Sequence, residues 1–282
     1  DERPMSARER AMAKRKARRP VSNPGAGTTS SSASGPRQTL DIPEDDPNVL
    51  WTTVQFFLEH VYSPTWHVRH GALLGIEAVL AARSPILGQL EMRENLAVVL
   101  LRLLALDRVG DFEGDNVVAP VRSLAARLLG TIVTAADATL LSSTAKSLTL
   151  LLQYTDLWQV RHGGLLGLAR LDLQSCPEAA AIVIHCGPGL LADSEEDDIR
   201  HQTAQILARY YSGSGESVPE SIASAAIAFL EAADDLETSI GPVMELLQLA
   251  VAGNGEVDAD RIERLLWPHF RAPLSTIRRS VA

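Results

Sequence analysis

Two ten-residue strings, WHVRHGALLG at 66–75 and WQVRHGGLLG at 158–167, agree at eight positions across a separation of 92 residues. Self-similarity of this kind leaves few architectures open, because a recurring unit must pack against its own copies. The arginine of the string recurs at Arg69, Arg122 (in VVAPVR), Arg161, Arg200 (in EEDDIR) and Arg278 (in LSTIR), at intervals of 53, 39, 39 and 78. The last interval is twice 39, and the absent member falls at Ser239, inside DLETSIGPVMELLQLA, which keeps the apolar rhythm without the arginine. A β-branched residue precedes each arginine (Val68, Val121, Val160, Ile199, Ile277), and apolar residues follow three to four apart. Turn residues such as Ser63-Pro64 and Thr155-Asp156 stand ahead of the motifs and suit helix starts. From Val49 onward the apolar runs have helix length, with no strand-like alternation. A unit of about 39 residues holding two helices cannot bury its apolar face alone, so stacked neighbours must supply a continuous core. The chain therefore reads as all-α: a HEAT-type solenoid of about six helical hairpins over 49–83, 92–134, 143–172, 178–211, 218–252 and 258–282.

The chain of 282 residues is expected to carry this solenoid over 49–282. Residues 1–19 place Ala, Met, Lys and Arg at helical spacing, and Lys14, Arg15, Lys16, Arg18 and Arg19 form a basic cluster. The cluster is a nuclear-import candidate, against the alternative of a solvated, partly helical tail. Residues 20–48 are rich in Pro, Gly, Ser and acid, with few apolar groups to offset ordering entropy, and read as a disordered linker. The first residue is Asp1 rather than Met, and PLSTIRRSVA ends within a helical pattern, so the chain reads as a piece of a longer protein.

Charge narrows the function. The net charge is −9, yet residues 1–20 hold eight Lys/Arg against three Asp/Glu, which leaves −14 on the rest. An acidic body argues against general binding to nucleic-acid phosphates and suits a basic protein partner. Cys176 and Cys186 provide no disulfide framework, and no apolar run approaches the roughly 20 residues of a membrane span.

The stretch ALDRVGDFEGDNVVAPVR, residues 105–122, collects acids and glycines between two apolar runs and invites a metal or phosphate reading. An EF-hand begun at Asp111 places Glu113 and Asp115 correctly, but Asn116 stands where glycine belongs and Arg122 where the closing glutamate belongs. Gly110 and Gly114 are followed by no GK[ST], and no Walker motif occurs in the chain. His70 and His162 sit in equivalent places two hairpins apart, too far for one metal, and read as satisfied polar groups at helix starts. Cys176 and Cys186 read as small buried apolar residues. The periodic arginines are expected to bond acids or carbonyls of the next hairpin and form a structural ladder. Trp66 and Trp158 suit packing and partner contact equally.

The 105–122 stretch, the two ten-residue strings and SARERAMAKRKARR upstream resemble the N-terminal HEAT domain of the Swi/Snf-type ATPase family that strips TATA-box-binding protein (TBP) from promoter DNA. Order and spacing agree over roughly residues 5–211, although Val109, Gly114, Asn116, His201 and Gln202 depart from the family pattern. The resemblance implies a TBP-binding module whose inter-helix turns grip the convex face of TBP, with DNA reached only through TBP. It implies a mobile N-terminal segment that covers the DNA-binding saddle, a nuclear location, and a C-terminal motor outside these residues that uses ATP and magnesium. On that reading the segment itself is no enzyme and needs no cofactor, membrane or small-molecule ligand. Partner-facing residues would be Asp107, Arg108, Asp111, Phe112, Asp115, Trp66 and Trp158, with Phe112 as an apolar centre among the acids. A nuclear-transport or other HEAT or armadillo adaptor is the alternative; it accounts for periodicity and acidity but not for the LDR-GDF-VVAPVR string.

Overall fold

The computed structural model describes residues 47–82, 88–109, 111–113, 116–134, 138–154, 157–193, 197–232, 240–254 and 259–267. Helices follow one another as antiparallel hairpins: α1 (Pro47–Leu58) with α2 (Trp66–Ala81), α3 (Leu90–Leu106) with α4 (Pro120–Thr134), and α5 (Ala138–Leu152) with α6 (Trp158–Leu168). The series continues with α7 (Pro177–Leu191) and α8 (Asp197–Ser214), then α9 (Glu220–Ala232) and α10 (Ile240–Asn254), and ends in α11 (Ala259–Leu266). The second helices pack in sequence, α2 on α4, α4 on α6, α6 on α8 and α8 on α10, while α3, α5, α7, α9 and α11 form the facing layer. This is an all-α solenoid. No described helix is long and apolar enough to cross a membrane.

Periodicity explains the layers. In α3 the buried apolar residues are Leu96, Ala97, Leu100, Leu103 and Leu104, and in α4 they include Leu124, Ala125, Leu128, Leu129 and Ile132. Spacing of three and four puts each set on one helical stripe, and the stripes of successive hairpins merge into one core. Pro47 opens α1 two residues inside the expected linker, at the first helical position where a missing N–H costs nothing. Pro64 is not helical: α2 starts at Trp66 with Thr65 as its N-cap, and Ser63 Oγ accepts from the Thr65 amide at 3.3 Å.

One turn departs from the all-helical pattern. Between α3 and α4 the backbone forms a two-stranded antiparallel hairpin, β1 (Asp111–Glu113) with β2 (Asn116–Val118), pairing Asp111 with Val118, Phe112 with Val117 and Glu113 with Asn116. Its strands span three residues each, too short to leave an alternation signal in the sequence. The extra residues of this turn account for most of the difference between the first arginine interval of 53 and the later 39, and the longer helices α2 and α3 account for the rest.

The tightest packing is at α6. A Cβ on Gly163 would collide with the backbone carbonyl of Leu104 in α3, and one on Gly164 would lie 3.0 Å from the Leu148 carbonyl in α5. Backbone cannot yield as a side-chain end can, so Gly163→Ala must push α6 off α3. It is expected to lower the unfolding free energy by about 1–3 kcal/mol or more. Gly189→Ala, in α7 with nothing within 4 Å of the new methyl, should instead raise it by about 0.5–1 kcal/mol through helix propensity. Urea denaturation of the two variants, read by circular dichroism, checks the opposite signs.

Candidate partner-binding edge

Among the described residues, Arg69, Arg122, Arg161 and Arg200 each sit in the first turn of a second helix, on the edge where that helix follows its partner. A cation at a helix N-terminus opposes the macrodipole. It is held here by the carbonyls of its own turn: Arg69 Nη1 donates to Ser63 O at 2.6 Å and Pro64 O at 3.2 Å. Arg122 Nη1 donates to Asp107 O at 2.8 Å, Arg161 Nη1 to Tyr154 O at 3.1 Å, and Arg200 Nη1 to Asp193 O.

The same side chains reach forward to the next hairpin. Arg69 Nη2 donates to Asp107 Oδ1 at 2.6 Å, and Arg161 Nη2 to Asp193 Oδ2 at 2.7 Å. Arg122 Nη2 donates to His162 Nδ1 at 3.4 Å, and its guanidinium carbon lies 5.5 Å from the centre of the Trp158 ring. Arg200 stands 5.2 Å from the centre of the Phe229 ring. Arg122 is the largest fully buried side chain described. Arg278 and Ser239 lie outside the described residues.

Asp107 ends α3 and carries β1 and β2 directly after it. Its side chain is fully buried and that of Arg69 is 12% exposed, so it takes no part in a partner-facing set, contrary to the sequence expectation. Its carboxylate ties hairpin one to hairpin two while its carbonyl ties down Arg122. Arg108, the next residue, is exposed and donates to Ala105 O at 2.6 Å, where a cation meets the negative end of α3. Asp111 and Phe112 belong to β1, so the turn holds their backbone in a defined register; Asp115 lies outside the described residues. Trp66 is 37% exposed beside His67 and His70, whereas Trp158 is half-buried under Arg122. Sequence reading missed Asp193, and it missed the exposed Tyr62, Leu106, Tyr154 and Leu157, which stand with Trp66 on or beside the turns. Asp193 had a signal: it lies 32 residues after Arg161, as Asp107 lies 38 after Arg69.

His162 is buried, and its ring is held neutral, with a pKa pushed down to about 3 by burial first, then by Arg122 and His201. An arginine can only donate, so Nδ1 accepts and the ring proton sits on Nε2. Cys176 and Cys186 have thiols raised by burial, which keeps them protonated and unreactive. Among the described residues no group of three or more His, Cys, Asp and Glu is placed to hold a metal ion. The edge offers contact surface: apolar rings and side chains, an acidic hairpin, and a fixed backbone beneath them.

The fold is that of a HEAT-type helical-repeat protein. The chain matches no protein-family model. It is 30% identical over 288 residues to human TATA-binding protein-associated factor 172, covering 88% of this chain and 15% of that protein. It is 25% identical over 295 residues to TATA-binding protein-associated factor MOT1 of Saccharomyces cerevisiae, covering 87% and 16%. With TATA-binding protein-associated factor BTAF1 of Arabidopsis thaliana it shares 31% identity over 179 residues, covering 61% and 9%. Its fold superposes on the crystal structure of the Mot1 N-terminal domain in complex with TBP with a TM-score of 0.64 at 20% identity, over 100% of this chain and 35% of that one. The chain belongs to this family of TATA-binding protein-associated factors, as part of its N-terminal helical-repeat domain. It spans about 15% of the length of the human relative.

Two outcomes follow from the buried nodes. Asp107→Ala strands the Arg69 cation and should cost about 3–5 kcal/mol. Glu77→Ala, which breaks the Arg127 pair whose side chains are 54% and 33% exposed, should cost under about 1 kcal/mol. Chemical denaturation at pH 7 separates them.

The second outcome concerns acid. The folded pKa of His162 lies below its unfolded value of 6.5, so the unfolded chain takes the proton first. The stability due to the neutral ring is complete above pH 6.5 and is lost as pH falls toward about 3. Between pH 7 and 5 the wild type should lose about 2 kcal/mol more than His162→Gln. Equal losses in the two proteins would remove His162 as the group responsible.

Proposed function

We propose that this chain is the TBP-binding scaffold of a transcription regulator that removes TBP from promoter DNA. The observation that carries the reading is that the whole chain shares its fold with a Mot1 N-terminal domain solved with TBP. Membership among the TATA-binding protein-associated factors supports the same partner. Electrostatics supports it as well: a protein that binds DNA presents basic surface, and outside its first 20 residues this chain carries −14. The turn edge makes the contact, with Asp111 and Phe112 on the hairpin after Asp107, Arg108 at its base and Trp66 on the neighbouring turn; Asp115, outside the described residues, belongs to the same proposal. The segment binds and does not catalyse. ATP and magnesium serve a motor elsewhere in the protein, DNA is engaged through TBP, and the protein acts in the nucleus. Import through Lys14, Arg15, Lys16, Arg18 and Arg19 belongs to the same proposal; these residues lie outside the described ones.

The test is equilibrium binding of purified TBP to the 282-residue chain by fluorescence anisotropy at moderate salt. Wild type should bind at or below micromolar concentration. Asp111→Lys with Asp115→Lys should weaken binding at least tenfold with the helical signal unchanged, because close charge pairs across an interface couple by roughly 1.5 kcal/mol or more. No binding by a folded wild type returns the chain to the class of general HEAT adaptors. Unchanged affinity in the variant removes the acidic hairpin from the interface.

A further inference from the structure

The layer of second helices carries a second row of arginines. Arg170 and Arg209 follow Arg161 and Arg200 at the same offset of nine residues, and Arg127 stands near the same level of α4. Arg127 is exposed on α4, Arg209 on α8, and Arg170 just past the end of α6. Each reaches back to the hairpin before it. Arg127 holds Glu77 of α2 with two prongs, Nε to Oε1 at 2.7 Å and Nη2 to Oε2 at 2.8 Å. Arg170 lies against α4, where a Cβ on Gly130 would stand 2.7 Å from the Arg170 Cβ. Arg209 lays its guanidinium on the last carbonyls of α6 and its turn, with Nη1 donating to Ala169 O and Nη2 to Leu171 O at 2.9 Å and Leu168 O at 3.4 Å. A cation suits the negative end of a helix. Burial first, then the Arg170 charge, hold the Arg209 guanidinium below its ordinary pKa, with Asp172 opposing, so the two arginines stand close enough to repel. No described group accepts from the Arg170 side chain.

We propose that Arg170 and Arg209, continued by Arg127, seat an extended acidic segment of a partner protein, its carboxylates meeting successive arginines across the layer. Two neighbouring guanidinium groups repel, and a carboxylate between them replaces that repulsion with two charge-assisted pairs. Arg209 is already held by three carbonyls, so little side-chain freedom remains to be lost on binding. A guanidinium has five N–H donors, and those carbonyls leave some of them over for a ligand. The spacing fits an extended chain. Packed helices stand about 8–10 Å apart. A polyproline-II strand returns its side chains to the same side every three residues, a rise of about 9 Å. Acids three apart on such a strand therefore match the step from one hairpin to the next. Charge selects a short peptide over nucleic acid. The chain outside its first 20 residues carries −14, which repels a long polyanion from everything around the stripe. A short acidic segment meets the stripe alone.

The experiment is photo-crosslinking of the full chain, without TBP, to a Glu-Pro-Pro repeat peptide that carries a benzophenone, with the attached sites mapped by mass spectrometry. Wild type should be labelled in residues 166–174 and 205–213, less so as salt rises. Two variants are compared with it. Arg170→Gln keeps the Cβ and Cγ that lie against Gly130, and Lys146→Gln removes an exposed cation from α5 in the other layer. Arg170→Gln should lower the labelling of those two stretches at least about fivefold with the helical signal unchanged, and Lys146→Gln should leave it as it is. Equal labelling in all three proteins overturns the proposal. So does labelling confined to other parts of the chain, such as the basic residues 1–19. Displacement of the peptide by duplex DNA at equal concentration of charge also overturns it, since the stripe would then take any polyanion. Because no TBP is present, each result stands apart from the partner reading.

Discussion

The stack depends on a guanidinium placed where a lone helix would reject it. Arg69, Arg122, Arg161 and Arg200 each enter in the first turn of a second helix, against the macrodipole, and two of them are buried. Their charge is met from two directions at once. The turn behind supplies carbonyl oxygens, and the next hairpin supplies a carboxylate or an aromatic ring. One side chain therefore fixes both the shape of its own turn and the register of its hairpin on the following one. A buried cation is a poor source of net stability but penalises any arrangement that leaves it unmet. Hydrophobic stripes hold the layers together, and the arginines decide how they slide.

The forward contacts alternate. Arg69 and Arg161 reach Asp107 and Asp193; Arg122 and Arg200 reach Trp158 and Phe229. The structural repeat is one hairpin, but the chemical repeat is two. This accounts for the sequence pattern, in which the arginine returns near 39 residues while the longer Trp-x-Val-Arg-His string returns only at 92. Both copies of the string belong to hairpins whose neighbour ahead offers an aspartate. Within this frame Gly163 of α6 admits the Leu104 carbonyl, where a Cβ on its counterpart Gly71 in α2 would meet nothing within 4 Å.

Much of this was legible in the sequence, for a physical reason: a helix stripe and a repeat both leave periodic signals. The arginines at 69, 122, 161 and 200 mark the first turns of second helices, and the apolar runs mark the layers. Other parts were hidden. Asp107 looks like one more acid of the turn, and nothing in the sequence shows that its side chain is buried against Arg69. Its equivalence with Asp193 is disguised because the turn between Asp107 and Arg122 is longer than the one between Asp193 and Arg200. The two strands of three residues are below the length at which alternation is detectable. Trp66 and Trp158 read alike in sequence and differ in the structure because one ends the described stack and the other lies inside it.

Burial of Asp107 changes what the acidic turn is. If all its carboxylates faced solvent, the turn would be a flexible charged loop, and binding would have to offset the cost of ordering it. Instead the residue at the foot of the hairpin is locked to Arg69 on one side and Arg122 on the other. The strands that follow inherit a fixed starting point and a defined pairing register. Rigidity made by charges inside the stack thus extends to the backbone of the hairpin that follows. An edge preorganised in this way can hold a basic partner with few contacts, because little conformational freedom remains to be lost when the partner arrives.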